Sequence, residues 1–134
     1  MEKHNFRHPQ IFHSTEKFWI GLKDRKLLAP RCKNCGEIFF PPRSHCPKCL
    51  YNETDWVELS GRGTLYSWSE IHMPSQTFDV PYVIGVIDLV EGVGRMISKV
   101  RARVEDLKID MPMEIDYEDV DEDLTLYIWV PALP

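Results

Sequence analysis

Four cysteines have the residue type and the spacing of a metal site, and they are the only cysteines among the 134 residues. Cys32, Cys35, Cys46 and Cys49 follow the pattern C-x2-C-x10-C-x2-C. Two residues between thiols allow one tight turn to direct both sulfurs toward one point. Two such turns supply four thiolates, which zinc binds in a tetrahedral arrangement. Four protein ligands leave no open position for water or substrate, so we expect a metal that stabilises the fold rather than one that catalyses.

Three other interpretations of the cysteines compete with a metal site: two disulfides, buried free thiols, or a redox pair. No continuous apolar segment typical of a signal peptide precedes Cys32, so we expect a cytoplasmic protein. In the cytoplasm thiols stay reduced, so two matched C-x2-C motifs favour a metal site over disulfides. Iron is the alternative to zinc, because Cys35-Gly36 and the segment 46–49 are similar to the knuckles of rubredoxin. His45, which adjoins Cys46, is an alternative ligand, but the four cysteines already complete the set.

The charge of the chain is distributed unevenly. Residues 1–62 contain eleven Lys/Arg and seven Asp/Glu, a net +4, whereas residues 63–134 contain five and fourteen, a net −9. Nucleic-acid binding depends on a basic face, so this balance disfavours a nucleic-acid partner. No apolar run of about eighteen residues occurs, and we therefore expect no membrane span.

The segment before the cysteines, residues 1–28, is predicted to hold an extended arm and an amphipathic helix. The helix is expected from about residue 15 to 25 with Ser14 as its N-cap, because Phe18, Trp19 and Leu22 recur at helical spacing. Its apolar face either packs on the ribbon or contacts a partner. His4, His8 and His13 are also near helical spacing, but Pro9 lies between them, so we expect no metal site there.

Residues 29–54 are predicted to form a small metal ribbon. A strand over 26–31 leads into the first cysteine pair, a returning strand covers 37–40, and the stiff Pro41-Pro42 pair sets the distance to the second. A ribbon of about twenty residues buries too little apolar surface to fold without its metal. Four basic residues surround the cluster, either to offset its charge or to contact ligand phosphates: Arg31, Lys33, Arg43 and Lys48.

Residues 55–134 change to a period of two, which is typical of strands. Strands are expected over 57–71, 82–90, 95–100, 113–117 and 126–130, with the first coiled at Gly61 and Gly63. The segments between them are a loop over 73–81, a hairpin turn over 91–94, a helical turn over 104–107 and an acidic loop over 119–123. The fold class is therefore mainly β: an N-terminal helix, a rubredoxin-like zinc ribbon and a five-stranded OB-type barrel. A different small barrel or sandwich is the alternative.

The order of these motifs resembles one family over residues 14–131. The motifs are a helix ending Gly-Leu-Lys-Asp-Arg-Lys-Leu-Leu, then Arg-Cys-Lys-Asn-Cys-Gly, Phe-Phe-Pro-Pro-Arg, Cys-Pro-Lys-Cys, Trp56, Leu-Ser-Gly-Arg-Gly-Thr-Leu-Tyr-Ser, Pro81-Tyr82 and Leu-Val-Glu-Gly. They are similar to the rubredoxin-like zinc-ribbon plus OB-fold proteins associated with acyl-CoA, long catalogued as a domain of unknown function. Two segments depart from the family pattern. Asp110-Met111-Pro112 stands where many relatives have a glycine, and residues 128–131 lack the expected phenylalanine.

The resemblance implies a non-catalytic, hetero-oligomeric subunit that works beside a thiolase or related condensing enzyme. Such a subunit bridges its partners and helps to hold or pass acyl-CoA, while the partner supplies the nucleophilic cysteine. It also implies that the four cysteines are zinc ligands. Candidates for the phosphates of CoA are Arg31, Arg43, Arg62 and Arg95.

Two other functions compete with an accessory subunit. A single-stranded nucleic-acid module would stack bases on Tyr66, Trp68 and Tyr82, but the acidic second half weighs against it. An independent enzyme would need a site, for which His72, Asp79 and Asp88 are the available polar residues. A cysteine that ligates metal cannot also form a thioester intermediate, so the sequence favours the accessory subunit.

Overall fold

A computed structural model describes residues 9–74 and 79–132. In chain order its elements are helix α1 (Glu16–Lys23), strands β1 (Leu27–Cys32), β2 (Thr54–Leu59), β3 (Arg62–Ile71), β4 (Tyr82–Leu89) and β5 (Arg95–Val100), a 3-10 turn (Val104–Asp106), and strands β6 (Pro112–Asp119) and β7 (Thr125–Pro131). Most of the predicted arm, including His4 and His8, lies outside the described residues, as does the middle of the predicted 73–81 loop. No helix in the described part is long and apolar enough to cross a membrane.

Helix α1 is shorter than predicted and has a different N-cap. It begins after Thr15 rather than Ser14, and no side-chain hydrogen bond caps it. The Thr15 hydroxyl instead accepts from the Phe12 amide and donates to the Phe12 carbonyl, both at 3.2 Å. At the other end the chain reverses at Arg25, which has φ 59°. The predicted start and end of the helix were therefore wrong by one or two residues.

The apolar face of α1 packs inside the molecule. Phe18 is buried, and its ring lies 5.7 Å from that of Phe40 in the ribbon and 6.1 Å from that of Tyr127 in β7. Leu22 is fully buried, and Trp19 is only partly buried beside Phe18. The helix thus packs against both the ribbon and β7.

The predicted returning strand over residues 37–40 is wrong. Only Ile38 forms an isolated bridge, with Arg31. The Phe39 amide donates to the Pro30 carbonyl at 3.1 Å, and the next position in that register is Pro41, which has no amide to donate. β1 instead pairs antiparallel along its length with β2, from Leu27 opposite Leu59 to Cys32 opposite Thr54.

The prediction of one long strand over residues 57–71 is also wrong, because the structure has two strands there, β2 and β3. Gly61 separates them with φ 76°, and a Cβ there would lie 2.6 Å from Ile115 Cγ2. β2 pairs with β1 in a two-stranded sheet, whereas β3 belongs to the barrel. The register shift in β3 falls between Leu65 and Ser67, not at Gly63. The domain boundary at residues 54/55 stays a prediction.

The remaining strands form the predicted closed five-stranded barrel in the order β3-β4-β5-β7-β6. β3 and β6 close it over residues 62–64 and 112–114, and the pairing of β5 with β7 is parallel, at Val100 and Trp129. This strand order and connectivity are those of an OB-fold. At the first departure from the family pattern, Asp110 takes φ 64°, which aspartate tolerates better than most residues. At the second, Trp129 is fully buried.

One continuous apolar core spans helix, ribbon sheet and barrel. Its buried members come from all three parts: Phe18 and Leu22 from α1, Leu27, Ala29 and Leu59 from the ribbon sheet, and Leu65, Val83, Ile87, Leu89, Met96, Val100, Leu107, Met113 and Trp129 from the barrel region. The ribbon is therefore fixed to the barrel by packing as well as by the chain.

Polar contacts fasten α1 to the acidic loop between β6 and β7. Arg25 makes two hydrogen bonds to the Asp119 carboxylate, at 2.9 and 3.0 Å, and the Thr125 hydroxyl donates a third at 2.7 Å. The bond from Arg25, followed by that from Thr125, lowers the pKa of Asp119 well below its usual value. Lys23 Nζ donates to the Glu122 carbonyl at 2.8 Å. Cations at the end of the helix thus offset the negative charge of this loop.

Gly94 in the β4–β5 turn is expected to be intolerant of a side chain. It has φ 152°, and a Cβ there would lie 2.7 Å from the Phe40 carbonyl oxygen of the ribbon. A backbone atom cannot move aside as a flexible side chain can, so Gly94→Ala is expected to cost about 1–3 kcal/mol of unfolding free energy. Chemical denaturation measures this cost.

Gly92, two residues earlier, provides the matched control. It has φ 74° and nothing within 4 Å of a built Cβ, so Gly92→Ala adds only backbone strain, about 1 kcal/mol. If the Gly94 variant is no less stable than the Gly92 variant, the contact between turn and ribbon does not exist in solution.

Candidate metal centre

The four cysteine sulfurs converge on one point. All four lie within 4.8 Å of one another, with Cys32 and Cys49 Sγ 3.5 Å apart and Cys35 and Cys46 Sγ 3.6 Å apart. These distances exceed the roughly 2.05 Å of a disulfide. Thiolates around a tetrahedral zinc would be about 3.8 Å apart, given a Zn–S bond of about 2.3 Å. The geometry therefore fits four ligands of a single ion and not two disulfides.

The two cysteine pairs are built by the same local structure. The amide two residues after the first cysteine of each pair donates to its sulfur at 3.3 Å, from Asn34 to Cys32 and from Lys48 to Cys46. The amide four residues on donates to the carbonyl of the same cysteine, from Gly36 at 3.0 Å and from Leu50 at 2.9 Å. Both turns pass through positive φ, 77° at Gly36 and 67° at Leu50. Each turn therefore presents its two sulfurs in the same way.

Each pair contributes one buried and one exposed sulfur. Cys32 and Cys46 are buried and pack with Phe39, whereas Cys35 and Cys49 are exposed. The backbone amide of Tyr51 and then the side-chain amide of Asn34 donate to Cys49 and lower its thiol pKa to about 6. The Glu37 amide has the same effect on Cys35, but lost solvation and the three neighbouring sulfurs outweigh it and raise its pKa to about 12.

These opposite shifts describe a cluster that cannot hold all its negative charges unaided. Adjacent thiolates repel each other, and a cation among them removes the repulsion and deprotonates the remaining thiols. The donor set therefore suits a metal ion chemically as well as geometrically. Within residues 9–74 and 79–132, these cysteines are the one group of metal-ligating side chains that comes together. His45 is not among them: it is exposed, and its Nδ1 lies 2.9 Å from the Ser44 hydroxyl.

The four arginines predicted for phosphate binding do not form one site. Arg95 bonds to the Asp88 carboxylate and lies 3.8 Å over the Tyr66 ring, while Arg31 is 3.9 Å from Asp55 in the ribbon sheet. Arg62 begins β3 at the barrel closure. Arg43 lines a sizeable cleft together with Lys17 and Lys33. The sequence did not connect Lys17 with the ribbon, because residues far apart along the chain carry no local signal of proximity.

Two of the polar residues considered for an independent catalytic site, His72 and Asp88, lie far apart. His72 Nε2 lies 3.0 Å from Glu70 and follows the end of β3 that pairs with Tyr82. Asp88, bound by Arg95, lies near the opposite end of β4, across from Thr64. About six residues of strand, on the order of 20 Å, separate those two ends. His72 and Asp88 therefore do not form a common site.

A rubredoxin-like ribbon fused to an OB barrel, with its cysteines gathered at one point, defines a class of small metal-ribbon proteins. Two sequence profiles place the chain within it: "ChsH2, rubredoxin-like zinc ribbon domain" matches residues 19–51, and "ChsH2, C-terminal OB-fold domain" matches residues 56–118. The chain belongs to this ChsH2/DUF35 family, as the resemblance in its sequence predicted.

Three relatives show the range of proteins in which this unit occurs. A "DUF35 domain-containing scaffold protein" of Methanocaldococcus jannaschii is 38% identical over 78% of this chain and 77% of its own length. "Benzoylsuccinyl-CoA thiolase subunit BbsA" of Thauera aromatica is 36% identical over 66% and 61%. A "Probable enoyl-CoA hydratase alpha subunit" of Thermomonospora curvata is 34% identical over 87% of this chain, which spans only 37% of that protein.

A solved structure has the same fold over almost the whole chain. The chain of the "Ltp2-ChsH2(DUF35) aldolase" superposes with a TM-score of 0.86 at 31% identity, covering 94% of this chain and all of that one. The ribbon, the barrel and their arrangement are therefore shared with a protein solved as part of an aldolase.

Proposed function

We propose that this chain is the non-catalytic zinc-ribbon and OB-fold subunit of a thiolase-type enzyme that acts on acyl-CoA. In this role it forms a hetero-oligomer with a thiolase-like subunit, bridges subunits and helps to hold or pass the acyl-CoA. The observation that carries the proposal is the superposition of 94% of the chain on a chain from an aldolase, together with 36% identity to a thiolase subunit over 66% of the chain.

The disposition of the cysteines supports a division of labour between this chain and its partner. Thiolysis by covalent catalysis needs a nucleophile with an adjacent base, and all four cysteines here are gathered in one cluster. The partner would supply the nucleophile. In this proposal the chain contributes an arm and helix over residues 1–28, a metal ribbon over 29–54 and an OB-fold domain over 55–134.

The metal in this proposal is zinc, held by Cys32, Cys35, Cys46 and Cys49, with iron as the alternative. Bound zinc would hold the two turns together and would have no open coordination position for a substrate. Elemental analysis of the protein as purified distinguishes the two metals, and a colourless protein also points to zinc, whose filled d shell gives no d–d absorption.

A nucleic-acid module, the alternative function, has less support. Trp68 packs against the core cluster rather than standing free for a base. Arg95 covers the Tyr66 ring.

Purification of the tagged full chain from its native cells tests the proposal. A thiolase-like protein, identified by mass spectrometry, is expected to co-purify in fixed stoichiometry. Its thiolytic activity is expected to fall at least about tenfold when this chain is removed and to return when it is added back. A thiolase that is soluble and fully active alone would contradict the proposal, as would turnover of an acyl-CoA by the isolated chain.

A further inference from the structure

A cleft of about 520 Å³ lies between the start of α1 and the ribbon. It is within the range of small-molecule sites, about 300–1,000 Å³. Three cations from separate parts of the chain line it: Lys17 from α1, Lys33 from the first cysteine turn, and Arg43 from the segment between the cysteine pairs. Convergence of three separate segments on one cleft makes this a built feature of the fold.

The three cations have no partner within the described residues. Other basic residues are engaged: Arg25 with Asp119, Arg101 with Asp116, and Arg103 with Asp106. Lys17, Lys33 and Arg43 form no side-chain ion pair or hydrogen bond there, although Glu16 and Glu53 also line the cleft. Glu53 instead accepts a hydrogen bond from the Tyr51 hydroxyl at 3.1 Å. The cleft therefore holds one more cation than anion, in a chain with a net charge of −5.

The rest of the lining suits a nucleotide rather than a simple anion. Trp56, which is partly buried, provides an aromatic surface, and Ser44 and Asn52 provide neutral hydrogen-bonding groups. Aromatic side chains bind nucleobases by stacking, while lysine and arginine bind phosphate through charge-assisted hydrogen bonds. Both kinds of group face the same space.

We propose that this cleft binds the nucleotide end of coenzyme A, with Lys17, Lys33 and Arg43 on its phosphates and Trp56 beside its adenine. The assignment rests on the proposed function, because it takes the phosphate source to be an acyl-CoA rather than a free nucleotide. It retains only Arg43 of the four arginines predicted from sequence. A thioester bound there by its nucleotide leaves its pantetheine arm free to extend toward a partner's active site.

Calorimetric titration of the metal-loaded full chain tests the assignment. CoA and adenosine 3′,5′-bisphosphate are expected to bind with similar affinity. Dephospho-CoA and ATP should bind at least about tenfold more weakly, since each lacks the 3′-phosphate, and pantetheine should not bind. Substitution of any one of these cations by glutamine is expected to lower the affinity for CoA about tenfold, because it removes one charge-assisted hydrogen bond.

Arg62→Gln is the matched control, because it removes the same charge at the barrel closure and should leave the CoA affinity within about twofold. Unchanged Tm values confirm that the Lys17→Gln, Lys33→Gln and Arg43→Gln variants are folded. The assignment is overturned if the isolated chain does not bind CoA, if ATP binds as tightly as CoA, or if these variants behave like the control.

The experiments distinguish a wrong assignment of the cleft from a wrong proposed function. If the chain co-purifies with an active thiolase but the three variants leave CoA affinity unchanged, only the cleft is misassigned. If CoA binds as expected but no thiolase partner exists, the cleft stands and the subunit role is wrong.

Discussion

Replacement of Cys46 by serine is expected to empty the metal site and to unfold the ribbon. Cys46 is fully buried and lies 3.6 Å, sulfur to sulfur, from Cys35. Zinc contributes about 10–16 kcal/mol to the folding of small ribbons, which matches or exceeds the whole stability of a typical domain, about 5–15 kcal/mol. Loss of one thiolate of four should therefore remove most bound metal and lower Tm by tens of degrees. The metal-to-protein ratio and thermal unfolding followed by circular dichroism measure both effects.

His45→Ala is the control for this experiment, because His45 adjoins Cys46 but is exposed and lies against Ser44. This variant should keep its full metal content and Tm. A Cys46→Ser protein that retains one metal per chain and its normal Tm would show that the cluster does not depend on four thiolates. If His45→Ala lost the metal instead, histidine would be a ligand.

Trp129→Ala is expected to give the largest loss of stability in the barrel. The Trp129 side chain is the largest of those that are fully buried. Its strand, β7, lies between β5 and β6, where Trp129 is opposite Val100 and Ile115. Deletion of such a ring leaves a cavity and costs about 3–5 kcal/mol, a large share of the total stability. Urea denaturation measures the loss directly.

Two variants control for the Trp129 substitution. Its indole N–H has no hydrogen-bond partner within the described residues, so Trp129→Phe removes an unsatisfied donor while keeping a ring and should cost only about 1–2 kcal/mol. Ile97→Ala in the neighbouring β5, where Ile97 is 66% exposed, should change stability by no more than about 0.5 kcal/mol. Equal losses for Trp129→Ala and Ile97→Ala would mean that the barrel core is not as described.

Local signals in the sequence predicted much of the fold. The cysteine spacing indicated the cluster because two-residue turns place sulfurs together without help from distant residues. The barrel strands from β4 onward were predicted to within about two residues, since their alternation reflects one buried and one exposed face. The turn after β4 was also predicted, because Gly92 and Gly94 adopt the positive φ that such turns require.

The larger errors concern partners that lie far apart along the chain. Nothing local shows that β1 pairs with β2, twenty-two residues after it ends, rather than with the adjacent 37–40 segment. Period-two alternation continues through Gly61, so it did not reveal that the chain changes sheets there. The candidate phosphate site was predicted from residue type alone. Only the folded structure shows that Arg95 is already paired with Asp88, and that Lys17 and Arg43 line the same cleft.

The continuous core has a consequence for how this molecule can be divided. A cut after the last cysteine would strip β1 of its partner strand, and a cut after β2 would leave Leu27, Ala29 and Leu59 without the barrel residues that share their cluster. The ribbon and its cysteine cluster therefore cannot be moved onto another barrel as an independent unit. A transplant would have to carry the matching barrel surface, or redesign it, to avoid leaving an apolar face open to water.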